Sequence, residues 1–197
     1  MRACILASGS PRRREILAGL GLPFEVAASD VGEQTAQTDP AKLSEELSER
    51  KGRAVRSMLS ASGRDLSGKL LIASDTSVFC GGEVLGKPRD AADAHRMLTL
   101  LAGRRHEVVS GIWLSLDGKE AVSHAVTAVE FAPLTEREID AYIACGEPFG
   151  KAGAYAIQGR AAAFIRGIEG DYFNVVGLPV NRMCELYREA FGEGLLD

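Results

Sequence analysis

Apolar residues recur along this chain in two alternating rhythms, short near-continuous runs and helical spacings. Residues 3–7 form an apolar run. Ser10 follows as a capping residue, Pro11 stands where a first helical position tolerates a missing N–H, and Ile16, Leu17 and Leu20 share one face before Gly21. This predicts a strand feeding directly into a helix. Residues 24–28 make a second candidate strand. Asp39 and Pro40 then start a longer helix running towards Met58, with Leu43, Leu47, Ala54 and Met58 as its expected inner face and Gly52 as a weak point.

Residues 70–80 read as a buried strand, and Gly81-Gly82 ahead of Glu83-Val84-Leu85 is a hairpin signal. Asp90 begins a helix that ends near Gly103. From His106 to Glu130 two β-rich runs flank Asp117-Gly118, a dipeptide suited to a tight turn because both central residues take positive φ. Thr135 with Glu138 is a capping box for a helix ending at Gly146. A glycine-rich stretch to Gly159 follows, then a strand over residues 163–168, and Pro179 opens a last helix through Phe191. Strands alternate with helices and hairpins, so the expected sheet holds both parallel and antiparallel pairs. The sequence contains no internal repeat, low-complexity tract or linker.

Composition narrows the classes of function. With 197 residues, 46% hydrophobic and 25% charged, the chain fits one domain or at most two closely joined halves, with core enough to need no disulfide or structural metal. A formal net charge of −4 argues against duplex nucleic acid as a partner, since such binding rests on neutralising phosphates. A small anionic ligand stays open where basic residues gather. Cys4, Cys80, Cys145 and Cys184 form no C-x-x-C pair, and each is expected to act as a small buried hydrophobe. The first apolar run is too short for a signal peptide and no stretch reaches the ~18 apolar residues of a membrane span, so a cytoplasmic setting is the default expectation.

Two segments imitate a phosphate-binding P-loop. Residues 81–88 have the G-x-x-x-x-G-K spacing, but Pro88 stands where a hydroxyl would hold magnesium; residues 146–151 are one residue short. Lys87 and Lys151 can still meet phosphate as point charges. A better anion site is Ser8-Gly-Ser-Pro-Arg-Arg13 at the strand-to-helix junction, where backbone N–H groups, the helix dipole and two guanidinium forks favour phosphate. An ordinary capped helix with a solvated basic face fits the same spacing. Asp75 interrupts an apolar run as a metal ligand, a general base or a structural acceptor, and Glu33 in the preceding polar stretch is a candidate second oxygen ligand. Lys51 lies in a charged helical patch, solvated by default. His95, His106 and His124 lack metal-ligand spacing, no G-x-S-x-G is present, and Trp113 reads as core.

Taken together, Leu6-Ala-Ser-Gly-Ser-Pro-Arg-Arg13, Ser74-Asp-Thr76, Gly82-Glu-Val-Leu-Gly-Lys-Pro88, Glu147-Pro148 with Lys151-Ala-Gly-Ala-Tyr155, Ile157-Gln-Gly159 and Asn174-Val-Val-Gly-Leu-Pro179 resemble the Maf family of nucleoside triphosphate pyrophosphatases. The blocks follow the family's order across nearly the whole chain. The resemblance implies a single α/β domain over residues 1–197, with a mixed, elongated and twisted sheet flanked by helices and a central cleft. It implies hydrolysis of a nucleoside triphosphate to the monophosphate and pyrophosphate, a divalent metal cation (Mg2+ or Mn2+), and homodimers. By position, Asp75 looks like the proton acceptor, Ser8, Arg13, Lys51 and Lys87 like phosphate contacts, and Glu33 with Asp75 like the metal carboxylates. Arg12, Thr76 and Gln158 stand where the family sorts substrates, in a combination similar to the dTTP and UTP branch. The alternatives are an N7-methyl-GTP pyrophosphatase and a non-enzymatic nucleotide-sensing regulator of cell division.

Overall fold

The computed structural model describes residues 2–192 and 194–197. In chain order the elements are β1 (Cys4–Leu6), α1 (Pro11–Gly19), β2 (Phe24–Val26), α2 (Pro40–Ala61), β3 (Leu70–Cys80), β4 (Glu83–Leu85), α3 (Ala91–Leu101), β5 (Arg105–Leu116), β6 (Lys119–Phe131), α4 (Glu136–Ala144), β7 (Ile165–Glu169), α5 (Tyr172–Val176) and α6 (Val180–Phe191). Short 3-10 turns cover Ala152–Ala154 and Arg160–Phe164. The strands form one mixed sheet in the order β2-β1-β3-β5-β6-β7, with β4 on β3. β1 pairs parallel with both β2 and β3, whereas β3 with β4 and β6 with β7 are antiparallel.

The chain forms two compact units interleaved in sequence. The first holds the N-terminal segment up to Asp75, residues 110–125, and the segment from Gly177 onward; the second holds residues 76–109 and 126–176. The long strands β3, β5 and β6 contribute residues to both. Inside the first unit, Ile5, Ala7, Val55, Leu59, Leu71, Ala73 and Trp113 pack into one buried cluster. Trp113 is fully buried, as its place in an apolar strand predicts, and its indole N–H donates to Glu120 Oε2 at 3.1 Å. The second unit has its own core, in which Leu85, Leu98, Leu101, Phe131, Tyr142 and Tyr155 are all buried.

Local chemistry explains most boundaries. Asp39 caps α2 by accepting from Lys42 N–H at 2.9 Å, and Asp90 caps α3 by accepting from Asp93 N–H at 2.8 Å. The Thr135–Glu138 capping box forms in full. Asp117 and Gly118 take φ of 49° and 83° in the turn between β5 and β6.

Several expectations are corrected. α2 buries Leu43, Leu47, Gly52, Val55 and Leu59, and Met58 is exposed. The expected face takes Leu43 and Leu47 as its centre, whereas the buried stripe, at about 100° per residue, centres on the side of Ser44 and Val55, which leaves Ala54 half-buried and Met58 outside it. Cys145 is exposed and Cys184 half-buried, because each sits on the outer side of a helix or its end; all four thiols are free. The strand expected over residues 163–168 begins at Ile165, preceded by a 3-10 turn, and the five-residue α5 carries too little periodicity to be foreseen. Among the described residues no helix is long and apolar enough to cross a membrane.

The second core also contains a titration-sensitive group. His106 is 2% exposed, its Nε2 lies 2.8 Å from the Tyr155 hydroxyl, and Phe131 and Tyr155 meet its ring edge to face. Burial pushes its pKa down to about 4 and holds the Tyr155 hydroxyl protonated, so Tyr155 donates and His106 accepts. Between pH 6.5 and 4 the unfolded chain takes up a proton that the folded chain refuses, so this contribution is complete above pH 6.5 and lost as pH falls towards 4. We expect a loss of roughly 2 kcal/mol at pH 5 relative to pH 7.5. Urea unfolding at the two pH values checks it, and a His106→Phe chain should lack that part of the pH dependence.

Candidate functional site

The chemistry of the first unit collects where β1 hands over to α1. Ser10 takes the N-cap position with extended backbone but makes no side-chain cap bond, and Pro11 supplies the first helical residue. Ser8 stands in the preceding turn. Its Oγ accepts from Ser10 N–H at 3.3 Å and from Arg13 Nη1 at 3.0 Å, which leaves the hydroxyl proton to donate to an incoming acceptor. Arg13 also donates from Nε to the Gly177 carbonyl at 2.8 Å, and the Ser74 hydroxyl donates to the same oxygen at 3.1 Å. One carbonyl from the Gly177-Leu-Pro segment therefore ties the head of α1 to β3.

Next to Ser74, Asp75 is 6% exposed and accepts a short hydrogen bond from Lys51 Nζ. Lys51 comes from the middle of α2, and it donates a second bond, of 2.7 Å, to Glu33 Oε1 in the loop after β2. An ammonium has three donors, so one stays available beyond these two carboxylates. Burial lowers the Arg13 pKa, and the nearby Asp75 and Glu33 charges oppose that shift; a guanidinium stays charged regardless. Ser8, Arg13, Glu33, Lys51 and Asp75 thus form one connected group, although Lys51 alone reads from sequence as a solvated side chain.

Two cations and two carboxylates cancel in this group. Two carboxylates converging on one ammonium make a place where positive charge is already stabilised, and hard oxygen donors suit Mg2+ or Mn2+. Among the described residues no group of three or more His, Cys, Asp or Glu could hold a metal, so a cation on Glu33 and Asp75 would take its remaining ligands from water and phosphate.

The other sequence candidates are distributed as follows. Arg12 is half-buried on α1 in the first unit. Thr76, Lys87 and Gln158 belong to the second. Thr76 follows Asp75 on β3 and is half-buried, while Lys87 is exposed in the loop after β4. That loop is held by a hydrogen bond from Gly153 N–H to the Gly86 carbonyl at 3.0 Å, which joins it to the turn following Lys151. Gln158 is exposed, in a bend ahead of the second 3-10 turn. Residue-level reading missed Glu147 and Gly177. The second acts through its backbone, and the glycine beside Leu178-Pro179 was the one available signal.

Comparison with known proteins extends over the whole of this arrangement. The family model described as "Maf: Maf-like protein" matches residues 3–190. A dTTP/UTP pyrophosphatase of Moorella thermoacetica is 50% identical over 189 residues, covering 94% of each chain. One from Symbiobacterium thermophilum is 48% identical over 187 residues, covering 94% of this chain and 93% of that protein. One from Pelotomaculum thermopropionicum is 45% identical over 199 residues and covers 100% of both. Among solved structures, a Staphylococcus aureus Ham1 protein matches 66% of this chain and 72% of its own at 20% identity, with a TM-score of 0.47.

Proposed function

This chain belongs to the Maf family, and from that premise we propose that it hydrolyses dTTP and UTP, together with related pyrimidine triphosphates, to the monophosphate and pyrophosphate. Relatives at 45% to 50% identity over almost their full lengths carry that activity in their names. The observation that carries the reading is the linked group Ser8–Arg13 and Glu33–Lys51–Asp75 at the head of α1.

In this mechanism the triphosphate meets the Ser8 hydroxyl, the Arg13 guanidinium and the remaining Lys51 donor, with Lys87 as a further phosphate contact. Asp75 orients a water and takes its proton as the water oxygen attacks the α-phosphorus. The bond from that phosphorus to the bridging oxygen breaks, and its electron pair leaves with pyrophosphate. Lys51 keeps the base carboxylate in place by holding it against Glu33. A divalent cation bound by Glu33 and Asp75 would supply charge neutralisation on the phosphoryl oxygens, which the charge-balanced cluster lacks by itself. Arg12, Thr76 and Gln158 sort the base: the Gln158 amide offers a donor and an acceptor to the imide edge of uracil or thymine. A mismatched base would leave such polar groups unpaired.

A panel of dTTP, UTP, CTP, GTP and N7-methyl-GTP, run with Mg2+, with Mn2+ and with chelator, tests this directly. We expect dTTP and UTP to release pyrophosphate fastest and chelator to stop all turnover. Faster hydrolysis of the methylated guanine nucleotide would overturn the substrate assignment, and nucleotide binding without pyrophosphate release would favour a sensing role.

A further inference from the structure

The second unit contains a carboxylate that none of these roles uses. Glu147, in the loop after α4, is half-buried, and it accepts hydrogen bonds from α4 and from the second 3-10 turn. Oε2 accepts from the Arg160 backbone N–H at 3.0 Å, and Oε1 accepts from Ala161 N–H at 3.4 Å and from the Tyr142 hydroxyl at 2.8 Å. Gly159, with φ of 142°, lies directly on the carboxylate, where a Cβ would come within 2.5 Å of both oxygens. Ala156, just before this stretch, is 2% exposed. Backbone anchors therefore stand directly after residues 157–159 and a buried residue directly before them, and the exposed Gln158 is the middle residue of that span.

The clamp is itself rigid. Tyr142 is 3% exposed on the fully capped helix α4, and its ring meets Phe164 edge to face with centroids 5.2 Å apart. Burial and the Glu147 charge raise the pKa of its hydroxyl, so it remains a donor. A carboxylate is the one side chain that can accept all these bonds without presenting a proton to any of the donors. Glutamine would aim an N–H at one of them, and alanine would leave the Arg160 and Ala161 amides and the Tyr142 hydroxyl without this acceptor.

We infer that Glu147, braced by Tyr142, is a positioning residue for base selection: it fixes the backbone directly after Gln158, at Gly159 to Ala161, so that the amide is presented in one orientation. This rests on the proposed reading of Gln158 as the residue that faces the base. An exposed side chain on an unclamped bend would sample several orientations, and recognition by hydrogen bonds loses discrimination when the donor and acceptor are not held in place.

The test compares kcat and KM for UTP and GTP across Glu147→Gln, Glu147→Asp, Tyr142→Phe, Gln158→Ala and the Glu147→Gln/Gln158→Ala double variant of the metal-loaded protein. Glu147→Gln should lower the UTP-to-GTP selectivity ratio about tenfold, chiefly through a higher KM for UTP. Glu147→Asp should restore part of that ratio. Tyr142→Phe, which removes one bond and keeps the ring, should lower it by about threefold. The double variant should be no less selective than Gln158→Ala, since both changes disable the same contact. An equal loss on both nucleotides, or an unchanged ratio in both Glu147→Gln and Tyr142→Phe, would overturn the inference. If Glu147→Gln does not fold, the Tyr142→Phe ratio decides. An unchanged ratio in Gln158→Ala would instead reject the reading of Gln158, an outcome distinct from failure of Glu147 alone.

Discussion

Asp75→Asn is expected to slow pyrophosphate release from UTP by a factor of about 10² to 10⁴, the range that a positioned general base contributes, while KM moves far less. Asparagine has nearly the same volume and its amide oxygen can still accept from Lys51, so the substitution removes the proton-accepting ability and the charge but little of the shape. Lys51 keeps its 2.7 Å bond to Glu33, so its ammonium is not stranded. Weakening one bond to a carboxylate that is 6% exposed should cost about 1–2 kcal/mol, which lowers Tm by a few degrees in a chain of this size. Turnover and stability thus separate by orders of magnitude. Stopped assays of pyrophosphate release, run beside thermal melts and circular dichroism, check both halves. Turnover within about threefold of the unaltered chain, with intact secondary structure, would remove Asp75 from the role of base.

Much of the framework behind that site was legible because it depends on local chemistry. The strand-to-helix junction with Ser8, Pro11 and Arg13, the caps at Asp39 and Asp90, the capping box at Thr135 and the turn at Asp117-Gly118 each involve residues within a few positions of one another. Their geometry follows from the residue types alone. What stayed hidden involves partners distant in sequence. Lys51 reads as one more charged residue on a charged helix until Glu33, 18 positions earlier, and Asp75, 24 positions later, close around its ammonium. The Gly177 carbonyl that receives Arg13 has no side-chain signature at all, and it lies 164 positions away. Glu147 was visible only as part of a resembling block, and its contacts with Arg160 and Ala161 depend on a backbone conformation that Gly159 alone permits.

Gly52 shows the same limit in reverse, since its helix-weakening propensity marks the point where the helix must be thin. A Cβ on Gly52 would lie 2.1 Å from Trp113 Cε3 and 2.6 Å from Cδ2, and one on Gly111 of β5 would lie 2.0 Å from the Ser44 carbonyl oxygen of α2. Helix and strand therefore approach each other reciprocally, a glycine of each admitting atoms of the other. Gly52→Ala sets two effects against each other: alanine favours a helix interior by about 1 kcal/mol, whereas forcing a methyl into a filled core costs typically ~1–3 kcal/mol and occasionally more. Trp113 has little room to yield. It is fully buried, bonded to Glu120 through its indole N–H, and carries the Arg56 guanidinium 5.6 Å from its ring centroid. The clash should win, with a net loss of roughly 2 kcal/mol or more. Gly111→Ala should cost more still, because the obstructing atoms are backbone in α2 and cannot rotate aside. Both variants should also depress turnover, since Lys51 is the residue next to Gly52 and moves with the helix. Urea unfolding of each chain, repeated for Gly52→Ala and Gly111→Ala on a Trp113→Leu background, separates the two causes. Shrinking the indole should relieve much of the Gly52→Ala penalty and none of the Gly111→Ala penalty; a stabilised Gly52→Ala chain would show that α2 has room that this packing denies it.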